Sequence, residues 1–170
     1  MSNNDTLIHK IGWSMAIEKV KDYFRSFGYE SRIQEFEVSS ATVEMAAQAL
    51  NTEGKRIAKT LAFRYFDQTL LIVAAGDAKI DNSKFKSQFN LKARMLDAHE
   101  TEDRVGHAVG GVCPFAINEN CVVVLDISLK RFETVYPACG SSQSAIELSI
   151  LELERFSKST QWVDVCKEWV

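Results

Sequence analysis

Two segments of the 170-residue chain carry residue types that could do chemistry. The first is Arg56-Ile57-Ala58-Lys59-Thr60-Leu61-Ala62-Phe63. As a strand it sends Ile57, Lys59, Leu61 and Phe63 to one side, so a lysine stands in an apolar row. That placement has two readings. The lysine snorkels to water at a sheet edge, or it is held at a pocket wall to meet an anion or a polar substrate group. The second segment is Gly106-His107-Ala108-Val109-Gly110-Gly111-Val112-Cys113-Pro114-Phe115-Ala116. Gly110-Gly111 permits backbone angles closed to other residues and lets a ligand approach the main chain. Its N–H groups could converge on a phosphate or a developing oxyanion; a plain tight turn between strands is the alternative. Cys113 is either a nucleophilic or redox thiol with a depressed pKa or a small residue lining a pocket. Activation would require His107 or His99 to lie near it in the fold. The segment holds no GxGxxG and no Walker pattern, so the familiar nucleotide-binding modes are not indicated.

Composition narrows the classes. Hydrophobic residues make up 46% and charged residues 25%, ordinary values for one globular domain with one core. Twenty Lys plus Arg stand against 23 Asp plus Glu, for a net charge of −3. No apolar run approaches the roughly 18–20 residues that span a bilayer. Met1 to Lys10 lacks a basic region followed by an apolar one, so no signal peptide is expected. Cys113, Cys121, Cys139 and Cys166 are separated by 8, 18 and 27 positions. They make no CxxC pair and read as reduced thiols of a cytoplasmic protein. His9, His99 and His107 form no HExxH cluster, so no metal is expected. Lys55, Arg56, Lys59 and Arg64 form one cation run and Lys79, Lys84, Lys86, Lys92 and Arg94 another. These read as a basic face or as an ordinary mixed surface.

The elements that must position these residues follow from periodicity. Trp13, Ala16, Ile17, Val20, Tyr23, Phe24 and Phe27 share one helix face, and Gly28 stands where a left-handed cap belongs. Arg32 to Val38 alternates as a half-buried strand. Thr42 caps a short helix with Val43, Ala46, Ala47 and Leu50 on its apolar face. Ile57 to Tyr65 and Leu70 to Ala75 read as strands joined at Asp67-Gln68. Asp81 starts a polar helix through Phe89, and Ala93 to Leu96 reads as a short strand. Cys121 to Asp126, Thr134 to Pro137 and Ala145 to Leu148 read as strands, with a turn at Gly140-Ser141-Ser142. Leu151 to Phe156 suggests a final helix. Strands and helices do not alternate as in a doubly wound sheet. The pattern predicts an α+β single domain with a mixed, barrel-like β-sheet flanked by helices.

Together the two segments resemble the YbaK/prolyl-tRNA-synthetase-associated domain family. The likeness runs over roughly residues 30–157. It includes Thr42-Val43-Glu44, Ile57-Ala58-Lys59-Thr60-Leu61, Gly76-Asp77 and Lys84. It continues through Gly110-Gly111-Val112-Cys113-Pro114-Phe115, Val122 to Asp126 and Tyr136-Pro137-Ala138-Cys139-Gly140. The resemblance implies a free-standing aminoacyl-tRNA deacylase that acts in trans on the ester joining a wrong amino acid to the 3′-terminal adenosine. It implies no cofactor and no metal, and no membrane or DNA partner. Aminoacyl-tRNA is the partner, with an aminoacyl-tRNA synthetase as a second. On this reading residues 1–29 are a helical segment packed on the domain, and 30–170 are the editing domain. Lys59, Gly110 and Gly111 are the catalytic positions implied. Thr60, His107, Val112, Cys113, Pro114 and Phe115 are the substrate-binding ones. Two departures bear on the substrate: Cys113 stands where a serine, threonine or other small residue is common, and Ala116 where glycine is frequent. The amino acid is left open among alanine, cysteine, serine and proline, because one methylene discriminates by only about 1–3 kcal/mol. A module that binds charged tRNA or a synthetase without hydrolysis is the alternative reading.

Overall fold

The computed structural model describes residues 3–170; the side chains of residues 3, 5, 6 and 8–13 lie outside the description. The place of Trp13 on the first helix's apolar face therefore lies outside the described residues.

That helix, α1, runs Asn3–Arg25, ten residues further back than the apolar periodicity shows. Its end is a Schellman closure: Gly28 N donates to Arg25 O at 3.0 Å and Tyr29 N to Phe24 O at 2.9 Å, with Gly28 at φ +77°. In chain order there follow β1 (Ile33–Glu35), α2 (Val43–Leu50), β2 (Ile57–Tyr65), β3 (Gln68–Ala75), β4 (Lys79–Ile80), α3 (Asn82–Phe89) and α4 (Ala98–Val105). Then come β5 (Cys121–Asp126), β6 (Thr134–Pro137), β7 (Ser144–Ile146), β8 (Leu148–Ser149), α5 (Ile150–Ser157), β9 (Gln161–Val163) and β10 (Cys166–Lys167).

The main sheet has six strands in the order β8-β6-β2-β3-β5-β9 and curls into a half-barrel, the mixed α+β architecture expected. β2 and β3 form an antiparallel hairpin, while β5 joins β3, and β6 joins β2, in parallel. Thr69 through Ala75 are all buried, which explains why β3 reads as a continuous apolar run rather than an alternating one. Phe24, Phe115 and Phe156 pack edge to face beneath α1 and α5, and Phe63 meets Phe85 of α3 at 5.0 Å. Among the described residues no helix is long and apolar enough to cross a membrane.

The helix caps fall where the sequence places them. Thr42 accepts from Met45 N at 3.1 Å, and Asp81 from Ser83 N and Lys84 N at 2.9 and 3.0 Å. Four local readings are corrected. The strand from 32 to 38 shrinks to β1, because beyond Glu35 the chain leaves its pairing with β7. The β2–β3 turn is Phe66-Asp67, with Phe66 left-handed at φ +55°. Ala93 to Leu96 makes one bridge, Met95 to Phe63, and no strand. Ala145 to Leu148 is two strands, parted at Glu147.

Arg32 ties the entry of β1 to α5. It donates to both carboxylate oxygens of Glu152 at 2.7 and 3.2 Å. Glu152 is also the capping-box partner of Ser149. The Arg32 bonds, helped by the Ser149 N–H, hold the Glu152 carboxyl at about 2, below its usual 4.5. The folded value lies below the unfolded one, so this pair stabilises the fold above pH about 4.5 and loses that contribution as pH falls toward about 2. Thermal unfolding across that window should show a steeper acid-side fall in Tm for the wild type than for Glu152→Gln. Equal slopes would remove this pair from the acid response.

Candidate active site

A cavity of about 490 Å³ opens between α2, β2, the segment leading into α4, the glycine loop, and strands β6 and β7. Its wall is rich in alanine, with Ala46, Ala58, Ala62 and Ala138 among the lining residues. Lys59 and Thr60 enter it from β2, Gly110 and Val112 from the loop, and Tyr136 from β6.

Lys59 is half-buried, with its ammonium donating to the carbonyls of Gly76, at 3.4 Å, and Ala78. Burial lowers its pKa below the usual lysine value, and the nearby Cys166 and Asp77 pull the other way. The lysine is therefore seated against main-chain oxygens at a cavity wall rather than extended into solvent. Beside it, the Thr60 hydroxyl is buried without a hydrogen-bond partner among the described residues.

The glycine loop has two sides. Val109, Gly110 and Val112 line the cavity, with Gly110 at φ +95°. Gly111 lies off the cavity: its N–H donates to Ala108 O at 3.0 Å, and a Cβ there would stand 2.6 Å from the Gly140 carbonyl and Ser141 N. His107, Cys113, Pro114 and Phe115 are buried behind the loop. His107 Nε2 donates to Phe115 O at 2.8 Å, which fixes the tautomer and leaves a buried Nδ1 without a partner among the described residues. Burial lowers the His107 pKa and keeps the ring neutral. Phe115 is a core aromatic, 4.8 Å from Phe24. Of the sequence-predicted positions, the fold thus brings Lys59, Thr60, Gly110 and Val112 together at the cavity. It uses Gly111, His107, Cys113, Pro114 and Phe115 to anchor the loop.

Cys113 Sγ lies 3.6 Å from His107 Nε2, yet burial pushes the thiol up to about 12. A buried, protonated thiol whose neighbouring imidazole nitrogen already donates elsewhere is not an activated nucleophile. Iodoacetamide at pH 8 should leave Cys113 unmodified in the folded protein by mass spectrometry. Rapid alkylation at that position would revive thiol chemistry.

Several lining residues are not placed at a site by the sequence, polar ones among them. Tyr136, Thr101 and Ser144 reach the cavity from strands and a helix distant in sequence. Tyr136 is held by a carboxylate hub: its hydroxyl and that of Thr134 donate to Glu147 Oε2 at 2.9 and 2.6 Å. The Arg56 guanidinium lies 5.1 Å over the Tyr136 ring. In Thr134-Val135-Tyr136-Pro137 the alternation would place Tyr136 opposite the buried Val135, but nothing local says what it faces.

No Asp, Glu, His or Cys lines the cavity among the described residues. Its chemistry must come from one cation, main-chain amides, hydroxyls and shape. Outside it, the first cation run is ion-paired and the second only in part, with no ion pair at Lys86, Lys92 or Arg94 among the described residues. Arg56 pairs with Glu147, Arg64 with Glu100, Lys79 with Glu168 and Lys84 with Asp164.

Comparison with known proteins converges on one family. A family model described as an aminoacyl-tRNA editing domain matches residues 37–156. The uncharacterized protein YwhH of Bacillus subtilis (strain 168) is 53% identical over 156 residues, covering 91% of this chain and 99% of its own. The proline–tRNA ligase of Geobacillus sp. (strain WCH70) is 23% identical over 125 residues, 73% of this chain but only 22% of the ligase. A crystal structure provisionally described as a trans-editing enzyme for prolyl tRNA synthetase superposes with a TM-score of 0.81 at 24% identity. That match covers 89% of this chain and 97% of the other, a likeness of fold.

Proposed function

The chain belongs to the aminoacyl-tRNA editing domain family, and on that premise we propose that it hydrolyses the ester of mischarged aminoacyl-tRNA in trans. The amino acid removed is small: alanine, cysteine, serine or proline. The site of action is the cytoplasm, and the second partner is the synthetase that makes the wrong ester. The observation that carries this reading is the meeting of Lys59 and Gly110 on one alanine-lined cavity, with no Asp, Glu or His in its wall among the described residues.

An aminoacyl ester is already activated, so positioning and electrostatic stabilisation can supply much of the rate. The Gly110 and Val112 main chain holds the ester carbonyl, whose oxygen gains charge as water adds to the carbon. Lys59 holds an acceptor of the terminal nucleotide. The free hydroxyl of the terminal ribose assists the water, which suits a cavity with no carboxylate or imidazole in its wall among the described residues. The ester C–O bond breaks, the ribose oxygen takes the proton, and the free amino acid leaves. Thr60, with its unpartnered hydroxyl, and Tyr136, fixed by Glu147, border the substrate.

The test is a panel of tRNAs charged with alanine, cysteine, serine or proline, mixed with wild-type protein at two salt concentrations. Release of at least one amino acid, slowed by salt through weaker backbone binding, is expected. Binding of every charged tRNA with release from none would leave a binding module in place of an enzyme.

A further inference from the structure

The cavity's lysine is held from outside the cavity. The Gly76 and Ala78 carbonyls that receive its ammonium belong to the turn between β3 and β4. That turn is tied at three points. Ala75 N donates to Ser128 Oγ at 3.1 Å. The Asp77 carboxylate takes two bonds from Arg131, at 2.9 and 2.5 Å. β4 pairs with β10, Ile80 opposite Cys166 and Lys79 opposite Lys167. Arg131 is itself fixed: its Nε donates to Ser128 O at 2.8 Å, and its guanidinium lies 5.0 Å over the Trp169 ring. Its side chain is only 16% exposed. β10 and Trp169 lie beyond residue 156, where the family match ends.

We propose that Arg131, acting through Asp77, is a positioning residue for Lys59: it fixes the turn whose carbonyls set where the ammonium stands at the cavity wall. This rests on the reading of Lys59 given above. A forked guanidinium–carboxylate pair fixes direction as well as distance, which a lysine at the same place would not do. Displacing a positioned group by about 1 Å can cost on the order of 100-fold in rate, so the turn's registration bears directly on turnover.

The test compares wild type, Arg131→Met, Arg131→Lys and Asp77→Asn in two readouts. One is kcat and KM for deacylation. The other is the pH dependence of Lys59 labelling by an amine-reactive ester, read by mass spectrometry. Arg131→Met should lower kcat about tenfold or more with KM little changed, and should shift the midpoint of Lys59 labelling. Arg131→Lys should recover only part of kcat. Wild-type kcat together with a wild-type labelling curve in folded Arg131→Met would overturn the proposal. Should Arg131→Met not fold, Asp77→Asn, which keeps the side chain's shape, carries the same two expectations. The labelling curve does not depend on catalysis. If Lys59→Ala retained full deacylation, the functional reading of Lys59 would fall, while the curve would still report whether Arg131 places the ammonium.

Discussion

Lys59→Ala should lower deacylation by about 10²- to 10³-fold in a protein that remains folded, the loss typical of removing one preorganised electrostatic group from an active site. Lys59 is the only cation lining the cavity among the described residues, so no neighbour replaces it. The structural cost is limited. The truncation leaves the Gly76 and Ala78 carbonyls without this donor, which costs about 1–3 kcal/mol where no water takes the ammonium's place. The β2–β3 ladder around position 59 pairs through the backbone and is untouched. Lys59→Arg should not rescue the rate, because a planar guanidinium does not fit a seat shaped for a compact ammonium between two carbonyls. Single-turnover kinetics beside circular dichroism read both parts. Full activity in Lys59→Ala would remove the lysine from the chemistry.

Gly111→Ala should be the most damaging single methyl in the loop. The new Cβ would stand 2.6 Å from the Gly140 carbonyl carbon and oxygen and from Ser141 N, all backbone atoms. Gly140 cannot retreat, since a Cβ built on it would already stand 2.8 Å from the main chain of Ala16 in α1. Overpacking of this kind costs about 1–3 kcal/mol, a fall in Tm of roughly 3–10 °C for a chain of this size. Relief by loop movement would carry Gly110 away from the cavity, so activity should fall as well. Gly28→Ala is the control: a Cβ there meets nothing within 4 Å, and only the φ of +77° opposes it. Scanning calorimetry of the two variants separates contact from conformation. A Gly111→Ala protein as stable as Gly28→Ala would contradict the close packing of the loop on Gly140.

Both chemical segments are legible in the sequence, because a lysine in an apolar strand row and a paired glycine before a proline are local patterns. So are the caps at Thr42 and Asp81 and the buried strand β3, whose continuous apolar run reports burial on both faces. The two-sidedness of the glycine loop is not legible. Nothing in the order of residues says that Val112 turns to the cavity while Cys113 and Phe115 turn to the core, since that depends on α1 lying behind the loop. Tyr136 reaches the cavity only because β6 joins β2 in parallel, a long-range pairing with no local signature. β4, β9 and β10 are two or three residues long, too short to show a period. α4 did carry a local signal: Asp97 and Glu100 form a capping box, but only Thr101 and Val105 are buried, so no apolar stripe accompanies it.

The most direct measurement is the time course of amino acid released when wild-type protein meets a several-fold excess of mischarged tRNA. The account predicts more than one amino acid released per protein molecule, with uncharged tRNA as the second product. A folded protein that binds the charged tRNA and releases nothing, for any of the four small amino acids, would contradict it.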